Sequence, residues 1–204
     1  MINNIDLIKP LLNFDNEGDF YMLYVFKRKK DQPEGERDNH QSVRTIKSYC
    51  VTSIEYLEKR YDEIIQLCEV FKARAYIHVV KQNHMDVSLN MITEIVTRIQ
   101  SGQINQQHVF DSVVGQIKTQ EKRWIIDIDD KNVRGLVPIT SFIHSLRPEG
   151  DKLEACIPTR NGYHLITKRF DTQMFKTEFP SIDIQKKNPT LLYYPNSLDV
   201  WYIL

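Results

Sequence analysis

Three carboxylates close the hydrophobic run R-W-I-I-D-I-D-D-K-N, residues 123–132: Asp127, Asp129 and Asp130. Side chains of an extended strand alternate in direction, so Asp127 and Asp129 share one face while Ile126 and Ile128 take the other. Two carboxylates so placed lie about 7 Å apart along the strand and can share a divalent cation or flank a pair of them. Hard oxygen donors suit Mg²⁺ or Mn²⁺. Two such ions can clamp the attacking and leaving oxygens of phosphoryl or nucleotidyl transfer. Asp130 points to the opposite face or begins a turn. A structural reading competes: Asp-Asp-Lys-Asn is good turn chemistry, and on this stretch alone a polar turn leaving a buried strand is the more frequent role. A calcium loop fits worse still, with Asn132 at its sixth position and Pro138 at its twelfth.

A second group lies in I-P-T-R-N-G-Y-H-L-I-T-K-R-F, residues 157–170. A turn there presents Thr159, Arg160 and Asn161. The strand that follows carries His164, Ile166 and Lys168 on one face. Arg160, His164 and Lys168 could gather around phosphate oxygens, arginine as a bidentate fork and lysine as a point charge, with Gly162 letting backbone approach closely. The commoner role of such a stretch is a solvent-facing hairpin. A third piece is S-I-D-I-Q-K-K-N-P-T-L-L-Y-Y-P-N-S-L, residues 181–198. Asp183 sits between Ile182 and Ile184 and so points away from the face those two bury. Tyr193, Tyr194 and Pro195 read as core or edge packing.

In this order the three pieces resemble the archaeo-eukaryotic primase superfamily, which includes replicative primase catalytic subunits and primase-polymerases of mobile elements. The pattern is a hydrophobic strand ending in D-x-D, then a small-residue turn with G-x-H, then a later acid before a P-x-S turn. The resemblance covers roughly residues 120–200, and order and spacing carry it. It implies a metal-dependent nucleotidyltransferase acting on nucleoside triphosphates and a DNA or RNA template. Asp127, Asp129 and Asp183 would be the catalytic acids holding two Mg²⁺ or Mn²⁺ ions. Thr159, Arg160, Asn161, His164 and Lys168 would bind the nucleotide and its triphosphate. It also implies an α/β amino-terminal unit packed on an RNA-recognition-like sheet. The chain departs from the pattern in two places: Thr159 stands where serine is usual, and a tyrosine stands where an arginine is expected before Pro195 and Ser197. Glu178 and Asp199 are alternatives to Asp183. Neither a zinc-binding module nor a helicase segment is evident, so a helicase or other replication subunit is a conceivable partner. Two other readings stay open: an inactive nucleic-acid-binding module on the same scaffold, and a nucleotide-sugar glycosyltransferase using the same D-x-D. The latter usually begins with a βαβ unit, which this chain lacks.

The elements that must position these groups follow from local pattern. F-Y-M-L-Y-V-F-K (20–27) and S-V-R-T-I-K-S-Y-C-V (42–51) read as strands. The charged stretch 27–41 between them reads as a long mobile connection. Its basic tip, Lys27, Arg28, Lys29 and Lys30, is a candidate nucleic-acid grip, with Arg44, Lys47 and Arg74 as further cations lacking motif support. A capping box at Thr52–Glu55, with Val51 and Tyr56 as its staple, should start a helix. Ile54, Leu57, Tyr61, Ile64, Ile65, Cys68 and Phe71 form its apolar side. R-A-Y-I-H-V-V (74–80) has strand character. A helix is predicted over 87–100, with Leu89, Ile92, Val96 and Ile99 as its buried stripe and Gly102 at C′; a weaker one is predicted over 106–120. Residues 138–146 should form a helix with Pro138 in its first turn. Residues 153–170 should form two strands meeting at Asn161-Gly162. Asp171 should cap a short helix, and two or three short strands should end the chain. The fold class expected is α+β: a mixed, largely antiparallel sheet with flanking helices. Residues 1–204 would form one domain, with a hairpin and helical unit over 1–105 and the acidic and histidine motifs over 106–204.

Bulk properties frame these readings without choosing among them. The 204 residues suit one domain. With 27 basic and 27 acidic residues the net charge is zero, so any polyanion-binding surface must come from local segregation of charge. Three scattered cysteines argue against a disulfide framework or a zinc knuckle and suit a reducing compartment. The first residues show no signal-peptide pattern, and no apolar stretch approaches the roughly 20 residues of a membrane span. A cytoplasmic protein with no membrane partner is the expectation.

Overall fold

Alternating apolar residues and short turns fold the chain into two antiparallel sheets flanked by helices, an α+β architecture. The computed structural model describes residues 1–31, 43–103, 108–117 and 122–195.

A short strand, β1 (Ile2–Asn3), and a one-turn helix, α1 (Ile5–Ile8), precede the long strand β2 (Asp19–Arg28). It pairs with β3 (Val43–Val51) from Tyr21↔Val51 to Arg28↔Val43. Residues 32–41 of the expected mobile connection lie outside the described residues. Lys29–Asp31 form a single 3-10 turn.

Helix α2 (Ile54–Phe71) is capped one residue later than the sequence suggested. Thr52 is not the cap. Ser53 has the extended backbone that an N-cap needs, and its Oγ accepts from the Tyr56 amide at 3.0 Å. Leu57, Ile64 and Cys68 are buried, whereas Phe71, expected on the same side, is 45% exposed at the helix end. Strands β4 (Arg74–Ile77) and β5 (Gln82–Asn83) follow.

Helix α3 (His84–Gln100) is capped by the Asn83 side chain, three residues before the expected start. Its inward face also differs from expectation. Leu89, Ile92, Val96 and Ile99 are 48–62% exposed, and Val87, Met91 and Ile95 pack inward instead. The helix is apolar on two sides, and spacing cannot say which one meets the sheet. Gly102 does take the left-handed C′ conformation, at φ +78°. Helix α4 (Val109–Gln116) is shorter than the predicted 106–120, whose ends lie outside the described residues.

The rest runs β6 (Trp124–Ile128), α5 (Leu136–Ser145), β7 (Leu153–Pro158), β8 (Tyr163–Thr167), α6 (Thr172–Glu178), β9 (Asp183–Gln185) and β10 (Thr190–Tyr194). Asp171 caps α6, accepting from the Gln173 and Met174 amides.

One sheet has the order β1-β10-β4-β2-β3, with β5 on β2; the other has β7-β8-β6-β9. Strands β6 to β9 with α5 and α6 make a β-α-β-β-α-β unit, a ferredoxin-like split arrangement. Many unrelated activities use that topology. The first sheet draws on both sides of residue 105. Helix α4 packs with α3 against Phe20 and Met22 of β2, and β10 returns to lie between β1 and β4. The reason is physical: β4 has an unpaired edge that β10 completes.

The sheets share one core, in which Leu23, Val25, Ala75 and Ile77 meet Ile125, Ile157 and Ile166. Two polar side chains bridge them. Arg123 donates to Glu154 and to the backbone oxygens of Leu11 and Val79. Buried Asn4 donates to the backbone oxygens of Pro158 and Leu191. Among the described residues no helix is long and apolar enough to cross a membrane. Cys50, Cys68 and Cys156 are free thiols.

Candidate active site

Strand β6 lies between β8 and β9, and its register sets the site. Asp127 is the cross-strand partner of His164 on one side and of Asp183 on the other. Cross-strand partners in antiparallel pairs project to the same face, so all three side chains share it. Further along this face Ile125 and Ile166 enter the core, while Ile126, Ile184 and Leu165 pack on the opposite side with α5 and α6.

Asp127 is surrounded rather than solvated. Its Oδ2 accepts from Gln185 Nε2 at 2.9 Å, and its Oδ1 lies 3.5 Å from His164 Nε2. Burial first, then the charges of Asp129 and Asp183, raise its pKa above the ordinary carboxylate value; Gln185 and Arg28 oppose this. Two neighbouring carboxylates thus act electrostatically on Asp127 at the mouth of the sheet.

His164 stays neutral near pH 7. Burial and the Arg28 guanidinium push it down to about 4, although Asp129 pulls the other way. Its contact with Asp127 is therefore not an ion pair at neutral pH, despite the short separation. Nδ1 lies 2.9 Å from the buried Thr190 hydroxyl. An ionised carboxylate can only accept, so we assign the ring proton to Nε2, facing Asp127, with Thr190 donating to Nδ1.

The turn between β7 and β8 is locked against this row. Thr159 Oγ1 accepts from the Gly162 amide at 3.1 Å, and the Thr159 amide donates to the Gly162 carbonyl at 2.8 Å. A Cβ at Gly162 would stand 1.8 Å from the Ile128 carbonyl oxygen and 2.7 Å from the Asp130 nitrogen. Glycine is required because backbone meets backbone there. Asp130 is the turn residue, its Oδ1 accepting from the Asn132 amide at 2.8 Å.

The first sheet supplies the opposite wall. Phe26 and Tyr76 stack at 4.8 Å, and the Arg28 guanidinium lies 5.0 Å from the Tyr76 ring. Together these residues enclose a cavity of about 270 Å³, to which Asp127, Asp129, Thr159, Arg160, Asn161 and His164 all contribute. An adjoining cavity of about 400 Å³ brings Asp183 and Asp130 beside Asp127 and Asp129.

Not every candidate is here. Lys168 is exposed one residue past β8, its amide bonded to the Lys152 carbonyl, at the strand end remote from His164. Arg28 leaves the basic tip and joins the cleft, whereas Lys27 and Lys29 do not line it. Arg74 does line the cleft, buried, paired with Asp31 and set 4.8 Å from the Tyr194 ring. Lys47 pairs with Glu63 on α2, and Arg44 is exposed on β3. Ser197 and Asp199 lie outside the described residues. Sequence reasoning passed over Gln185 and Thr190. Gln185 was readable, since I-D-I-Q puts it on the face of Asp183; Thr190 was not.

Among the described residues no three His, Cys, Asp or Glu side chains form a ready-made metal cage. A Mg²⁺ site resting on one or two carboxylates plus substrate phosphates requires none. The donor set fits such an ion: hard oxygens of Asp127, Asp129 and Asp183 whose mutual repulsion a cation would relieve.

Comparison with protein-family models, with curated proteins and with solved structures returned no match.

Proposed function

We propose that this chain is a metal-dependent nucleotidyltransferase of primase or primase-polymerase type. The single observation that carries this reading is the register row His164–Asp127–Asp183, with Asp129 and Arg28 acting on it. In this reading Asp127, Asp129 and Asp183 hold Mg²⁺ or Mn²⁺. The ions, when bound, stabilise charge on the attacking 3′-oxygen and on the departing pyrophosphate. Arg28 and Arg160 take the triphosphate oxygens as charge-assisted donors. The backbone of the Thr159–Gly162 turn is held rigid at the cavity wall. Neutral His164 offers its Nε2 proton as a hydrogen-bond donor without adding charge. Gln185 orients the Asp127 carboxylate. The stacked Phe26–Tyr76 pair gives the cleft an aromatic wall beside the nucleotide.

The test is nucleoside triphosphate binding and template-directed synthesis by the whole chain, each measured with and without Mn²⁺ or Mg²⁺. Metal-dependent binding and strand synthesis or extension are expected, with both lost in Asp127→Ala and Asp129→Ala. Unchanged metal-dependent binding in those variants would remove the assignment. One observation favours a second reading, a binding module without turnover: both Asp127 oxygens already face protein partners. Tight template binding with no metal requirement and no product would decide for it.

A further inference from the structure

A third cavity, of about 410 Å³, lies along the same interface toward the start of β6. Asn188 lines both this cavity and the one beside Asp127. Its walls are chemically unlike the acidic cleft. Met22, Val114 and Ile117 give apolar surface, and Trp124 presents an aromatic ring. Four cations, Lys122, Arg169, Lys186 and Lys187, stand among its described lining residues without one carboxylate.

In a chain of zero net charge such segregation is itself informative, because four clustered like charges repel unless an anion sits among them. Lys186 Nζ lies 5.0 Å from the Trp124 ring centroid, and Lys187 Nζ donates to the Gly115 carbonyl at 3.0 Å. Both lysines come from the β9–β10 connection and gather over this opening. His78, also lining the cavity, is held by burial at about 4 and is uncharged at neutral pH. The cavity therefore combines apolar and aromatic surface with a cationic rim. Its volume lies within the range of small-molecule sites, about 300–1,000 Å³.

We propose that this cavity is a metal-independent binding site for a nucleoside phosphate. The base enters against Trp124, and the phosphates stay at the lysine and arginine rim. This goes beyond the acidic cleft and does not rest on it, since neither the carboxylates nor a metal ion contributes.

The test is equilibrium dialysis of the full chain with ATP, adenosine and inorganic tripolyphosphate in excess EDTA. Trp124 fluorescence is followed in parallel in a Trp201→Phe background. ATP is expected to bind and to quench Trp124, with adenosine and tripolyphosphate each at least tenfold weaker. Lys186→Glu with Lys187→Glu, on an exposed connection, should weaken ATP at least tenfold. Asp127→Ala should leave it unchanged. The proposal is overturned by no ATP binding in EDTA, or by tripolyphosphate binding as well as ATP. It is equally overturned if the lysine pair has no effect or if Asp127→Ala abolishes binding.

Discussion

Asp127 and Asp183 are cross-strand partners on one face of the second sheet, two like charges held side by side by backbone register. With burial and Asp129 they keep the Asp127 carboxyl above its ordinary value of 3.8. An acid whose pKa is raised on folding contributes stability that is full below its unfolded value and is lost as pH rises through its folded value. Asp127→Asn should therefore melt higher than the parent at pH 7. The gain should vanish near pH 3.8. Thermal melts across that range check this, and the same variant should lose metal-dependent nucleotide binding.

His164 gives the opposite slope. Its pKa is depressed to about 4, so its contribution is present above the unfolded value of 6.5 and is lost as pH falls toward 4. His78, also near 4, behaves the same way. Urea midpoints should fall from pH 6.5 to 4, and His164→Gln should make that fall shallower without removing it. A slope as steep as the parent's would show that His164 is not buried neutral.

Gly162→Ala should be among the most damaging small changes in the chain. The added Cβ meets the Ile128 carbonyl oxygen at 1.8 Å, and neither backbone can yield without moving the end of β6. A cost of at least about 1–3 kcal/mol is expected in urea unfolding. Nucleotide affinity should fall as well, because the displaced residues adjoin Asp127 and Asp129.

Arg28 separates the cleft from the basic tip. Arg28→Gln should weaken triphosphate binding about tenfold, the scale of one charge-assisted hydrogen bond. Lys27→Gln and Lys29→Gln, which do not line the cavity, should change it little. Isothermal titration with a single nucleotide reads all three. Equal losses would mean a diffuse field rather than a contact.

The cap of α2 can be checked without any ligand. Ser53→Ala should cost about 1 kcal/mol, and Thr52→Ala much less, because Ser53 Oγ accepts from the Tyr56 amide. Denaturant unfolding of both variants settles the position.

Strand periodicity made much of this site legible. Two-residue alternation put Asp127 with Asp129, set Asp183 apart from Ile182 and Ile184, and marked Asp130 as the turn. Pairing was not legible, because it depends on contacts between distant segments. Nothing local shows that Arg28 would face Asp127, or that Thr190 would hold His164. Lys168 has the parity of His164 but lies four residues, about 13 Å, along the strand. The α3 stripe failed for a related reason: Leu89, Ile92, Val96 and Ile99 keep helical spacing as faithfully as the Val87, Met91 and Ile95 side that packs inward.

Strand β10 fixes the order in which the molecule can be completed. It occupies the gap between β1 and β4, so the sheet begun by the first residues stays open until residues 190–194 have left the ribosome. The same strand carries Thr190, which positions His164. A chain truncated before it would keep every acidic residue from Asp127 to Asp183, yet lack both the closed first sheet and the hydroxyl that orients the histidine.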